Sequence, residues 1–310
     1  MSTVVAGICA SHHTGMNWAV ERTKDQALVE HFQAGIADAR RILEESRPDV
    51  AVVIGSNHFQ GVYLEMMPAF MLGVGEVAGD GTGGTPRGPM LIDTDYARRL
   101  AWGLTERHFD LAISARLEVD HGITIGLQHL WPALDLPFVP IVVNTFAAPL
   151  PTWSRCRALG EGIRSFIESD GQDKRVAVLA SGGLSHNLPF FPKWYSTLND
   201  EEDELVDLGM YPRDEEGAER WAQRRGEIIS RSQHMVNPEF DEGILRMLVA
   251  RDWDGLLSYS DAEIDRIAGN GAQEIRNWVI AAAAVEGSGR KLAYAPLTEW
   301  HTGMAVATLI

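Results

Sequence analysis

The feature that most constrains this chain is its alternation of short β-branched runs with amphipathic helical stretches. Val4 to Cys9 is β-rich, and residues 26 to 45 then carry Leu28, Phe32, Ile36, Ala39 and Leu43 at helical spacing. Asp-Val-Ala-Val-Val-Ile-Gly-Ser at 49 to 56 follows as a run suited to a buried strand. This order reads as a βαβ unit, whose strands need helices to cover their apolar faces. It returns in Phe138 to Val143, in Trp153 to Ile167 with Leu159, Ile163 and Phe166 inward, and in Arg175 to Ala180. The expected fold is α/β, a three-layer single domain with a central sheet flanked by helices. Residues 242 to 250 and 272 to 286 are expected as closing helices.

At 310 residues the chain could form one large domain or two small ones, since one hydrophobic core stops growing near roughly 250 to 300, and residues 1–310 are expected as a single domain. Within it, 187–235 opens with Asn-Leu-Pro-Phe-Phe-Pro-Lys-Trp-Tyr and then turns acidic and helical. With no Pro/Gly/Ser linker on either side, it is expected as a helical lid or cap rather than a separate domain.

Charge and cysteine content narrow the function. Forty-three acidic residues against 27 basic give a net charge of −16, the wrong sign for nucleic acid or an anionic membrane surface. Cys9 and Cys156 are too few for a disulfide framework or a cysteine-based zinc site, and no run approaches the ~18 apolar residues of a membrane span. The N-terminus lacks a basic n-region, so it is expected as the first strand of a cytoplasmic protein. Gly73, Gly75 and Ala78 satisfy G-x-G-x-x-A, but Gly-Asp-Gly-Thr-Gly-Gly-Thr-Pro follows where a dinucleotide site would open a helix. A mobile glycine-rich loop is expected there.

The chemistry lies in the histidines. Of the ten, His12, His58, His121 and His186 fall at strand ends or in tight turns, and carboxyl ends of strands in an α/β sheet form the crevice where ligands bind. Any one of them alone is as well explained by a hydrogen bond to backbone. Four together point to a metal and to acid/base chemistry. His13 adjoins His12, and neighbours leaving a strand point opposite ways, so only one of the two is expected at a metal. The histidines at 31, 108, 129, 234 and 301 suit solvated or packing roles.

The chain resembles the class III extradiol ring-cleaving dioxygenases over nearly its full length. The likeness rests on Ala-Ser-His at 10–12, Asn-His-Phe at 57–59, Met-Pro-Ala-Phe-Met-Leu-Gly-Val-Gly at 67–75, Val-Asp-His-Gly at 119–122, Ser-Gly-Gly-Leu-Ser-His at 181–186 and Asn-Pro-Glu-Phe-Asp at 237–241. It implies a non-haem Fe(II) enzyme that opens the ring of a catechol-type (vicinal dihydroxylated) aromatic by inserting both atoms of O2, in aromatic catabolism. It further implies His12, His58 and Glu239 as the iron ligands. Such a 2-His-1-carboxylate triad leaves one face open for a bidentate catecholate and dioxygen. Glu239 also suits a helix start, where its charge complements the dipole.

His186 is then implied as the base that deprotonates the catechol, and His121 as the group that stabilises superoxide and later delivers a proton, tasks that suit a pKa near neutrality. Asp120 either orients His121 or caps the following turn. Phe190, Phe191 and Trp194, with Tyr195, either wall in a planar ring or form core of the cap. Ala-Gly-Asn-Gly-Ala-Gln-Glu-Ile-Arg at 268–276 carries Gly269 where the protocatechuate enzyme has a serine, which weakens the case for a ring carboxylate. Asn270 either bonds a substrate or is a turn residue. The partners expected are a small aromatic diol and O2, with the chain a homo-oligomer. Two other classes compete: a zinc-dependent hydrolase on the same triad, and a non-enzymatic interaction module of the same fold.

Overall fold

In this computed structural model, residues 1–189 and 200–310 are described, the side chains of 200–203 excepted. The strands are β1 (Thr3–Ala10), β2 (Val50–Ser56), β3 (Phe70–Asp80), β4 (Arg87–Pro89), β5 (Ala112–Val119), β6 (Phe138–Val143), β7 (Arg175–Ser181), β8 (Arg290–Leu297) and β9 (Thr302–Thr308). The helices are α1 (Gly15–Trp18), α2 (Gln26–Ser46), α3 (Thr94–Glu106), α4 (His121–Leu130), α5 (Trp153–Ser169), α6 (Asp200–Met210), α7 (Glu215–Arg231), α8 (Pro238–Ala250), α9 (Trp253–Leu256), α10 (Asp261–Ala268) and α11 (Ile275–Ala284).

The strands form one mixed sheet in the order β4-β3-β6-β2-β7-β1-β9-β8, with β5 beside β3. Its centre, β6-β2-β7-β1, is parallel, while β9 joins β1 and β3 joins β6 in the antiparallel sense. Alternation along each central strand makes the three layers. Val50, Val52 and Ile54 of β2 pack into one core with α3, α5, α8 and α11, while Ala51 and Val53 pack into another with α2 and α4. β6 and β7 divide their residues in the same way.

Helix α2 shows how the sequence dictates an element. Asp25 accepts the Leu28 N–H at its start, and Val29, Phe32, Ile36, Ala39 and Leu43 are buried at intervals of three and four along one face. Removing the Phe32 ring would cost about 3 to 5 kcal/mol. The glycine-rich loop expectation is corrected in part: residues 73–78 lie inside β3, paired with β5, while 81–86 form a glycine turn. Gly73 and Gly75 serve a sheet rather than a turn.

Of the proposed cap, 187–189 and 204–235 fall among residues whose side chains are described. Leu205 and Leu208 of α6 and Trp221 and Ile228 of α7 pack with Phe59 and Ala147, so the helix pair sits on the loops that follow β2 and β6. No helix among the described residues is long and apolar enough to cross a membrane.

Candidate active site

Four strand ends deliver the site: β1, β2 and β7 run parallel, and β5, parallel to β3 and so opposite in sense to those three, brings a fourth segment to it. β1 leads into His12, β2 into His58, β5 into Asp120 and His121, and β7 into the turn that carries His186. All four histidines are buried. His12, His58 and His121 each place a ring nitrogen within 4.8 Å of the others'. The His58 and His121 rings stack with centroids 4.0 Å apart, and His12 meets both edge-on.

The carboxylate beside these rings is Glu274, at the end of a 3-10 turn (Asn270–Glu274) that leads into α11. Its Oε1 lies 3.6 Å from His12 Nε2 and 3.6 Å from His58 Nε2, and those two nitrogens are 3.4 Å apart. Three donors on one face of an octahedron with bonds near 2.1 Å stand about 3.0 Å apart, so this triangle is slightly wider than a metal would draw it. Among the described residues, Glu274 Oε1 and His121 Nδ1 are buried without a hydrogen-bond partner. Burying a carboxylate oxygen unpaired is costly, and a cation among the imidazoles offsets that cost. The donor set therefore fits a divalent metal.

Glu239 is placed elsewhere. It sits exposed in the first turn of α8, on the rim of a surface groove lined by Phe240, Arg246 and Tyr259, where its charge complements the helix dipole. The acid that the structure brings to His12 and His58 is Glu274, not Glu239.

Second partners fix which nitrogen each ring turns inward. Asp120 Oδ1 lies 3.1 Å from His58 Nδ1, so that nitrogen carries the proton and Nε2 presents its lone pair. Asp120 also accepts the backbone N–H of His58 and, as the cap of α4, that of Gly122. Asp120 thus bonds both His58 and the helix start. His12 Nδ1 meets Ser181 Oγ at 2.8 Å, which turns its Nε2 inward as well. His13 does not join: its Nδ1 accepts the Gly15 N–H and its ring stacks on Trp300.

His186 faces the same carboxylate from the other side, its Nε2 3.7 Å from Glu274 Oε2. Its Nδ1 donates to the Leu184 carbonyl at 2.8 Å; a carbonyl only accepts, so Nε2 is left unprotonated in the neutral ring. Gly271 makes room for this, since a Cβ there would collide with the His186 ring. Asn270 holds the adjoining chain by bonding both Leu188 N–H and Leu188 carbonyl. Phe190, Phe191, Trp194 and Tyr195 lie outside the described residues; among the described residues, the Phe146 ring stands 5.3 Å from the His58 ring.

Burial lowers the pKa of all four histidines, His12 to about 4 and His58 and His121 well below the usual value, so their imidazoles are neutral and able to ligate at pH 7. Burial raises Glu274, with His186 and the Gly183 N–H working against that rise.

This site belongs to a known class. Residues 6–305 match the family described as the catalytic LigB subunit of aromatic ring-opening dioxygenase. The chain is 33% identical over 294 residues to a 2,3-dihydroxyphenylpropionate/2,3-dihydroxicinnamic acid 1,2-dioxygenase of Dechloromonas aromatica (strain RCB), covering 91% of this chain and 92% of that one. It is 32% identical over 317 residues to the enzyme of that description from Mycolicibacterium smegmatis (strain ATCC 700084 / mc(2)155), covering 97% of each. The chain belongs to the LigB family of metal-dependent extradiol ring-cleaving dioxygenases.

Proposed function

We propose that this chain opens the ring of a vicinal aromatic diol with dioxygen, using a ferrous ion held by His12, His58 and Glu274. The observation that carries the reading is the triangle of His12 Nε2, His58 Nε2 and Glu274 Oε1, closed by an oxygen with no hydrogen-bond partner among the described residues. A ferrous ion held by these two imidazoles and this carboxylate would supply a redox-active centre open to the diol and dioxygen.

The protein's own groups handle the protons. His186, with Nδ1 committed to Leu184 and Nε2 bare, takes the proton from a substrate hydroxyl. His121, whose buried Nδ1 lacks a partner, holds and passes a proton on the other side, its ring kept in place by stacking on His58. Asp120 orients His58 and, through it, the metal. Phe146 supplies an apolar wall beside His58, and α6 with α7 covers the loops after β2 and β6, which shields the reaction from bulk water. The names of the relatives favour 2,3-dihydroxyphenylpropionate as the diol.

The test is oxygen uptake by anaerobically loaded protein, ferrous against zinc, with catechol, 2,3-dihydroxyphenylpropionate, protocatechuate and gallate. Uptake of one O2 per ring opened, with ferrous ion alone, is expected. Turnover of an ester or amide by the zinc form, with no oxygen uptake by the ferrous form, would favour a hydrolase instead.

A further inference from the structure

The segment Asn237-Pro-Glu-Phe-Asp matches the family but sends no ligand to the metal site, which leaves its role open. Its two ends grip one residue. Asn237 N–H donates to Ser185 Oγ at 2.7 Å, and Ser185 donates its own N–H to Asp241 Oδ1 at 2.8 Å and its hydroxyl to Asp241 Oδ2 at 2.6 Å. Tyr294 OH donates to the same Oδ2 at 2.8 Å. Asp241 and Ser185 are both 0% exposed. A carboxylate so deeply buried costs stability unless its donors are in place, and here its contacts converge on the residue next to His186.

The surrounding chain is built to the same end. Leu184 N–H donates to Gly303 carbonyl and Gly303 N–H to Ser185 carbonyl, which ties the turn to β9. Gly303 has no room for a side chain, since a Cβ there would collide with Asp241 Oδ2. His186 carbonyl accepts the Gly271 N–H at 3.0 Å, so the turn is held from α8, β9 and the 3-10 turn at once.

We propose that Asp241 is a positioning residue for the ring-opening reaction: through Ser185 it sets where the His186 ring stands relative to Glu274. The proposal rests on the role of His186 given above. Asp241 touches neither the metal ligands nor the substrate; it acts by removing freedom from the residue beside the base, and a displacement of about 1 Å at a reacting group costs on the order of 100-fold in rate.

The experiment compares ferrous-loaded full-length wild type, Asp241→Ala, Ser185→Ala, His186→Ala and the double variants Asp241→Ala/His186→Ala and Ser185→Ala/His186→Ala, with 2,3-dihydroxyphenylpropionate as substrate. Iron content, kcat, KM and the ultraviolet absorption of the deprotonated diol on anaerobic mixing are read for each. Asp241→Ala and Ser185→Ala should keep iron, lose about 10-fold or more in kcat and show the same weakened absorption as His186→Ala. In the His186→Ala background, either change should alter kcat by less than about twofold, as expected of two residues acting through one group. Ser185→Ala leaves the Asp241 carboxylate intact, so it carries the reading if Asp241→Ala fails to fold. A kcat within twofold of wild type in both single variants, with His186→Ala impaired, would overturn the positioning role alone. An undiminished further loss in the double variants would overturn it in favour of a general structural role. Wild-type turnover by His186→Ala would remove the base itself, and the proposal with it.

Discussion

Asp120 Oδ1 stands 3.1 Å from His58 Nδ1 while Oδ2 takes the backbone N–H of the same residue, so a single carboxylate fixes both the ring and the chain of a proposed ligand. Replacing it with asparagine keeps the shape but removes the charge that holds the Nδ1 proton. Asp120→Asn should weaken ferrous ion binding by roughly 10- to 100-fold. Anaerobic titration with ferrous ion checks this, and unchanged affinity would detach Asp120 from the metal.

His186 and His121 are proposed to move protons without holding metal. His186→Ala and His121→Ala should each keep iron and lose about 10² to 10⁴ in kcat. Their defects should separate under anaerobic conditions, because only His186→Ala removes the base that prepares the diol. Loss of iron from either variant would place that histidine among the ligands.

Acidity should unfold the metal-free protein in a defined direction. Burial lowers seven histidines, 12, 13, 58, 121, 129, 186 and 301, with His13 at about 3 and His12 at about 4. Below the unfolded value near 6.5 the unfolded chain binds more protons than the folded one at each of these groups, so each contributes stability present above about 6.5 that is lost as pH falls below it. Asp80 and Asp241, both raised to about 6, and Glu274, also raised, work in the opposite sense, being lost as pH rises through the folded pKa. The melting temperature of the metal-free protein should fall steadily from pH 6.5 to 4, and a flat or rising profile would contradict it.

The helix pair that covers the loops after β2 and β6 should respond to substrate. Leu205, Leu208, Trp221 and Ile228 seat it on Phe59 and Ala147. Amide hydrogen exchange in α6 and α7 should slow when a catechol binds the ferrous protein anaerobically. Unchanged exchange throughout both helices would count against a cover that closes.

Much of this was legible in the sequence where period and position carry the information. The apolar runs at 50–56 and 138–143 announce strands buried on both faces, and the helical spacing from Leu28 to Leu43 announces the face that covers them. His12, His58 and His186 were visible because the parallel strands β1, β2 and β7 end at a common crevice; His121 shared the strand-end position, although β5 runs opposite to those three. Glu274 was missed for a physical reason. It follows a turn and opens a fully buried helix, and in the sequence it stands beside Arg276 and Asn277, which are equally buried, so nothing local separates a proposed ligand from structural polar residues. The usable signal was an acid at the head of an apolar run with no surface to reach. Glu239 drew attention because its motif matches the family, whereas in the fold that motif is spent on Ser185.

The account stands on which acid completes the triad, and iron analysis of two variants decides it. Glu274→Ala and Glu239→Ala are loaded with ferrous ion anaerobically, freed of excess metal and assayed for bound iron beside wild type. Glu274→Ala should lose its iron and Glu239→Ala should retain it at the wild-type level. Full iron in Glu274→Ala, together with its loss from Glu239→Ala, would contradict the assignment.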